Sequence, residues 1–180
     1  MVMEDRRELL IGCGSQRTKI INDGDPTFRN LTTLDINADH KPDVIHDLCD
    51  VPLPFAQDTF DEIHAYEVLE HTGAQGDYKF FFAQFGDFWR ILKPNGRLFA
   101  TVPKLSSPWL WGDPSHTRAL PKENLIFLSQ PNYDERVGST PMSDFRYIYK
   151  ADFEVVHISE SEDLLGFVIQ AIKPSRCTVW

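Results

Sequence analysis

Cysteine is scarce: Cys13, Cys49 and Cys177 are odd in number and widely spaced, which fits neither a disulfide framework nor a zinc ribbon. No apolar run approaches the ~20 residues that cross a bilayer, so no membrane span is expected. The opening "MVMEDRREL" has no apolar segment of the kind that secretory signals carry. Excess basic charge is missing too. A net charge of -9 argues against a chain held to nucleic acid by its overall field. Arg17, Lys19, Lys104, Arg118 and Lys122 can still form a local basic strip, which keeps a nucleic-acid partner open. Internal repeats, low-complexity tracts and long linkers are absent. A reduced, cytoplasmic setting is the default these absences leave.

What is present is the composition of one globular domain spanning residues 1–180, 42% apolar and 25% charged. Short apolar runs alternate with turn signals. "ELLIG", "LTTLDI", "DVIHDL" and "FDEIHAY" read as strands, with the proline-punctuated "PLPFAQDT" before the last of them. From Asp77, "DYKFFFAQFGDFWRILK" sets Phe81, Phe85, Phe88 and Leu92 at three- and four-residue steps, one apolar helix face. It stops at "KPNG", where proline blocks continuation and glycine allows a left-handed turn. "GRLFATVP" then reads as a fifth strand. "FEVVHI" and "GFVIQAI" suit an antiparallel terminal hairpin. The fold class expected is α/β, a Rossmann-like open sheet, mostly parallel, with an antiparallel C-terminal hairpin.

In such sheets ligands bind beyond the C-terminal strand ends. Polar residues collect there. Gly12 and Gly14 follow the first strand in "LLIGCGSQRTK", where bare backbone permits a tight turn and close approach of a ligand. Asp35 ends the second strand, 21 positions after Gly14, and a carboxylate there can accept both hydroxyls of a ribose. Asp47 follows the third strand and can accept from an adenine amino group; the alternative is a turn-forming aspartate. The usual third glycine of a dinucleotide turn is missing, because Ser15, Gln16 and Arg17 follow instead. That disfavours a pyrophosphate ligand, and with it NAD.

The ordered run "LLIGCG", "LTTLDI", "DVIHDLCDVPLPF", "TFDEIHAYEVLEH", "FWRILKPNGRLFATVP" resembles the class I S-adenosylmethionine-dependent methyltransferases, in particular their type 11, small-molecule branch. The resemblance covers about Leu9 to Pro103, and the terminal hairpin fits that family's reversed last strand. It implies S-adenosylmethionine as cofactor, with Gly12, Cys13 and Gly14 at its methionine part. It implies Asp35 at the ribose and Asp47 with Leu48 at the adenine, with Ile36 and Glu67 also among the cofactor-binding residues. The chain departs from the family after the glycine turn, where "SQRTKIINDGDPTF" gives the first helix little room and no clear face.

Glu67, Glu70 and His71 lie where the family presents groups to the methyl acceptor. His71 has the unperturbed pKa, ~6.5, to take a hydroxyl proton, with His116 as a second candidate catalytic residue. The alternative is that Glu70 and His71 only brace the following turn. Glu67-x-x-Glu70-His71 also resembles the metal-binding run of ubiquinone-pathway and small-RNA 2′-O-methyltransferases, the latter drawing a further histidine from the segment after strand five. By that resemblance Glu67, Glu70, His71 and His116 are a lesser alternative, a site for Mg or Mn. Many relatives carry the Glu-His pair without metal.

Residues 104–120, "KLSSPWLWGDPSHTRAL", read as an acceptor loop in which Trp109 and Trp111 cover a substrate and His116 with Arg118 meets an anionic group. Residues 130–152 form a polar and aromatic insert that shapes acceptor choice or a subunit contact. The tail ends in Trp180, which can pack on a partner. Function is expected to be methyl transfer to an oxygen or nitrogen of a small or sugar-like acceptor. The alternatives are a non-catalytic cofactor- or partner-binding module of the same fold, or a methyltransferase acting on nucleic acid.

Overall fold

The computed structural model describes residues 6–22 and 24–179. The expectations for the first residues of the chain and for Trp180 lie outside that range.

Seven strands form a single sheet in the order β3-β2-β1-β4-β5-β7-β6. They are β1 (Glu8–Ile11), β2 (Leu31–Asp35), β3 (Val44–Ile45), β4 (Phe60–Tyr66), β5 (Leu92–Pro103), β6 (Phe153–Glu160) and β7 (Leu164–Ala171). The first five run parallel, and β7 lies antiparallel between β5 and β6. This is the class I methyltransferase topology, a Rossmann-like sheet closed by a reversed hairpin. Strand order turns back between β1 and β4, so the crevice predicted for such sheets opens above those two strands.

One face is apolar. Leu9 and Ile11, Ile63 and Ala65, Leu98, Ala100 and Val102, Phe167 and Ile169 alternate inward from neighbouring strands. Helix α1 (Tyr78–Ile91) covers them with Phe82, Phe85 and Phe88, all buried. Asp77 caps it, its side chain accepting from the Phe80 N–H at 3.0 Å. No helix among the described residues is long and apolar enough to cross a membrane.

The opposite face is polar, and no helix covers it between β1 and β2. An irregular strap, described over residues 15–22 and 24–30, crosses it, held by charge. Lys19 is buried there, its ammonium 2.7 Å from Glu8 Oε1 and 3.3 Å from Glu62 Oε2. Arg6 pairs with Glu62 as well, and the Arg29 N–H donates to Glu8 Oε2 at 2.7 Å. The Tyr66 hydroxyl clasps Ile21, donating to its carbonyl at 3.0 Å and accepting from its N–H at 3.3 Å. Buried carboxylates need such partners, because an uncompensated charge inside a protein costs several kcal/mol. The carboxylate and imidazole atoms of Glu8, Glu62 and His64 converge within 4.8 Å, but the Lys19 ammonium and the Arg6 guanidinium already pair with both carboxylates.

Three boundaries differ from the sequence reading. The "DVIHDL" run pairs only over Val44–Ile45. The fifth strand begins at Leu92, directly after the helix, and passes an irregular register between Phe60 and Glu62. Within "KPNG" the left-handed residue is Asn95, at φ 65°, not the glycine. Gly96 is needed for space instead: a Cβ there would lie 2.9 Å from the Lys93 carbonyl.

Candidate functional site

The backbone of β1 ends in two glycines bare for different reasons. Gly12 has φ +57°, and a Cβ on it would sit 2.2 Å from Val68 Cγ2. Its missing side chain makes room for Val68, just past the end of β4. Gly14, at φ +49°, has nothing within 4 Å of where its Cβ would be. Between them Cys13 is buried, its N–H donating to the Leu34 carbonyl at 3.2 Å and so tying the ends of β1 and β2 together. Beside the turn lies a cavity of about 290 Å³ lined by Gly12, Cys13, Gly14, Ser15, Thr18 and Tyr66 among others.

Asp35 joins this turn directly. Its Oδ2 accepts from the Gly14 N–H at 2.8 Å, and its Oδ1 accepts from the Asn37 N–H at 2.8 Å. His40 Nδ1 lies 3.2 Å from Oδ2. Burial alone would raise the Asp35 pKa, but these donors outweigh it and hold the carboxyl below its usual value. Ile36 beside it is 64% exposed, an apolar side chain left to solvent at the sheet rim. Asp47 stands at the end of neighbouring β3. Its Oδ1 accepts from the Cys49 N–H at 2.8 Å, the turn-forming role weighed from the sequence, while Leu48 turns into the core.

The second cluster sits at the end of β4. Glu67 takes φ +50°, its N–H donating to the Thr101 carbonyl at 3.0 Å, and burial pushes its carboxyl up. Glu70 is 1% exposed and neither oxygen has a hydrogen-bond partner among the described residues. Burial raises its pKa to about 8, so at neutral pH it is mainly the uncharged acid. His71 and His116, brought from the loop after β5, meet edge-on with ring centroids 4.6 Å apart. His116 Nε2 lies 3.9 Å from Glu70 Oε1. Ligand atoms of Glu70, His71 and His116 fall within 4.8 Å of one another.

The hydrogen bonds fix which ring nitrogens are open. His116 Nδ1 is 2.9 Å from the Leu110 carbonyl, which only accepts, so Nδ1 carries the proton and Nε2 keeps its lone pair. Ser115 Oγ donates to Asp113 Oδ1 at 2.5 Å and lies 3.0 Å from His71 Nδ1. A hydroxyl has one proton; with it on Asp113, His71 Nδ1 must be the donor and Nε2 the acceptor. Burial, then the neighbouring His116, lowers the His71 pKa and keeps the ring neutral. Leu110, Asp113 and Ser115 were not singled out from the sequence. Their contribution depends on loop conformation, for which no residue pattern is a signal.

Other expectations are corrected. Arg118 cannot meet an anion: it is 3% exposed, donating to the Leu69 carbonyl at 3.0 Å and to Thr72 Oγ1 at 2.8 Å. Nor is there a basic strip. Lys19 and Arg118 are buried, Lys104 and Lys122 both pair with Glu160, and Arg17 donates to the carbonyls of His40 and Lys41. Trp109 and Trp111 stand 64% and 60% exposed on α2 (Trp109–Gly112).

No protein-family model matches the chain, and no curated protein matches it. Solved structures of the same fold do. A SAM-dependent methyltransferase from Archaeoglobus fulgidus is 16% identical at a TM-score of 0.55, over 93% of this chain and 86% of that one. The N-methyltransferase NodS from Bradyrhizobium japonicum WM9, in complex with S-adenosyl-L-homocysteine, is 16% identical at 0.53, over 92% and 78%. The [4+2]-cyclase SpnF is 13% identical at 0.54, over 96% and 78%. At these identities the likeness is one of fold.

Proposed function

We propose that this chain is a methyltransferase that moves the methyl group of S-adenosylmethionine to an oxygen or nitrogen of a small-molecule acceptor. The observation that carries this reading is the junction of Gly14 and Asp35. At the C-terminal strand ends an open glycine turn borders a cavity of about 290 Å³ and donates a backbone N–H to a buried ionised carboxylate. Asp35 receives the ribose, the Gly12–Gly14 backbone the methionine part, and Ile36, Asp47 and Leu48 the adenine. A cytoplasmic setting suits its three unpaired cysteines.

The bound donor supplies an electrophilic methyl carbon on a positive sulfur. Transfer is an in-line displacement: the acceptor atom bonds to that carbon, and the carbon–sulfur pair returns to sulfur. The protein contributes alignment and the removal of one proton. His71 Nε2, left unprotonated by the Ser115–Asp113 relay, takes that proton. His116 stands beside it with a second open nitrogen. The loop over residues 104–120 encloses the acceptor beneath Trp109 and Trp111.

The Glu70 cluster also fits a divalent ion. Two buried, unpaired carboxylate oxygens and two imidazole lone pairs with their other nitrogens hydrogen-bonded are the donor set of a transition-metal site. Glu70, His71 and His116 would hold it, with Glu67 close by, and it would polarise an acceptor hydroxyl. Two imidazoles favour Mn over Mg, which prefers more oxygens.

A second reading is a non-catalytic module, supported by the helix-free strap after the glycine turn. A nucleic-acid acceptor loses ground, because the basic residues it would need are buried or paired. Titration calorimetry separates these readings. The proposal expects saturable heat with both S-adenosylmethionine and its demethylated product. No heat with either leaves the module.

A further inference from the structure

A groove of about 260 Å³, slightly below the roughly 300–1,000 Å³ typical of small-molecule sites, lies between the start of α1 and the segment over residues 118–127. Its floor is Phe82 and Leu120, its walls Phe81, Phe127 and Phe145, and its rim Asn124 with Gln75. Phe145, from the insert over residues 130–152, is the hub of the aromatic wall. Its ring centroid lies 4.9 Å from that of Phe82, 5.4 Å from Tyr78 and 5.8 Å from Phe127.

Two chain segments carry both the histidines and the groove. Residues 69–75 and 116–120 run side by side, linked by Thr117 N to Glu70 O at 2.9 Å, Gln75 N to Thr117 O at 3.0 Å and Ala119 N to Gln75 Oε1 at 2.8 Å. His71 and His116 stand at one end of this pair, and Ala74 and Ala119 line the groove at the other. Each step is three residues, a reach of at most about 11 Å. The Arg118 guanidinium between them donates to Leu69, Thr72 and Gln84, which occupies its hydrogen-bond donors. The Asn124 carboxamide has no hydrogen-bond partner among the described residues and adds a directional polar group to a lining that also holds Gln75, Asp77 and Arg118.

We infer that the groove seats a planar aromatic portion of the methyl acceptor, whose nucleophilic end extends along these two segments toward His71 and His116. The inference rests on the methyl-transfer reading for the word acceptor, while the groove's preference for a ring stands by itself. Aromatic walls favour a planar apolar partner by offset or edge-on contact. A sugar, which must keep its hydroxyls hydrogen-bonded, would lose them against Phe81, Phe82 and Phe127. This narrows the acceptor from a small or sugar-like group to an elongated molecule with an aromatic end.

The test is amide chemical-shift mapping of the full chain with 2-naphthol and, separately, methyl α-D-glucoside. Saturable shifts at Gly76, Ala119 and Asn124 with 2-naphthol, and none with the glucoside, are expected. Ala74→Trp, which fills the groove from its exposed rim, should weaken 2-naphthol at least tenfold, with Ala119→Trp as a second filler should the first fail to fold. Shifts confined to other regions, preference for the glucoside, or groove shifts that follow protein concentration without any probe would overturn the inference. The last outcome would mean a second copy of the chain fills the groove. A separate titration with the demethylated cofactor reads Gly12, Cys13 and Gly14. Its failure would count against the donor site while leaving the ring preference to be judged from the 2-naphthol arm.

Discussion

The Gly14 N–H donates to Asp35 Oδ2 at 2.8 Å, across 21 residues of sequence. One hydrogen bond thus joins the ends of two parallel strands and holds a carboxylate, ionised at neutral pH, beside a turn with open space. Removing Asp35 acts on the donor and on the turn that receives it. Asp35→Ala should weaken S-adenosylmethionine binding by about 1–3 kcal/mol, the range for a hydrogen bond to a charged group. Calorimetry on wild type and variant checks this, and unchanged affinity would remove Asp35 from the site.

The two glycines should separate stability from binding. Gly12→Ala combines a left-handed backbone, which costs about 1–2 kcal/mol, with overlap on Val68. It should lower the melting temperature, with partial recovery in Gly12→Ala/Val68→Ala. Gly14→Ala carries only the backbone cost but places a methyl where the donor approaches. Its loss of donor affinity should therefore exceed its loss of stability. Thermal melts and calorimetry on both variants decide the assignment.

Glu70 gives a pH dependence of defined sign. Its folded pKa is raised to about 8 from 4.5, so the folded state holds this proton more tightly than the unfolded chain. That stability is complete below the unfolded value and is lost as pH rises through the folded one. In chelator-treated protein, unfolding free energy should fall by roughly 2 kcal/mol at most between pH 6.5 and 8.5. This interval lies above the His71 range, where a lowered pKa gives the opposite slope. Glu70→Gln, which stays neutral, should flatten the profile. Urea unfolding at several pH values reads it out.

His71→Ala should reduce turnover by 10²-fold or more while changing donor affinity little, as expected of a group that works on the acceptor. Ser115→Ala should reproduce part of that loss without altering donor binding, because it frees the His71 tautomer. Equal turnover in wild type and His71→Ala would leave His71 as a brace for the turn.

Strand ends and α1 were legible because their signals are local. Alternating side chains and Phe81, Phe85 and Phe88 at helical spacing each act within a few residues. The start of β5 was not, because Pro94 and Gly96 read as a turn although the strand continues through them. The polar face was hidden for a different reason. Lys19 meets Glu62 across 43 residues, a pairing no local pattern announces. Arg118 was misread because arginine is seldom fully buried, and the Thr72, Gln84 and Leu69 acceptors that permit it lie far away in sequence. At the site, residue types were readable and their tautomers were not, since those depend on Leu110 and Ser115 in a loop.

The central claim is that Gly14, Asp35 and Asp47 share one rim and bind one molecule. A crystal structure with S-adenosyl-L-homocysteine, grown with manganese, tests it most directly. The account predicts ribose hydroxyls on Asp35, the amino-acid part along Gly12 to Gly14, and the adenine between Ile36 and Asp47. A ligand bound elsewhere, or Asp47 more than one nucleoside's length from Asp35-bound density, would contradict it.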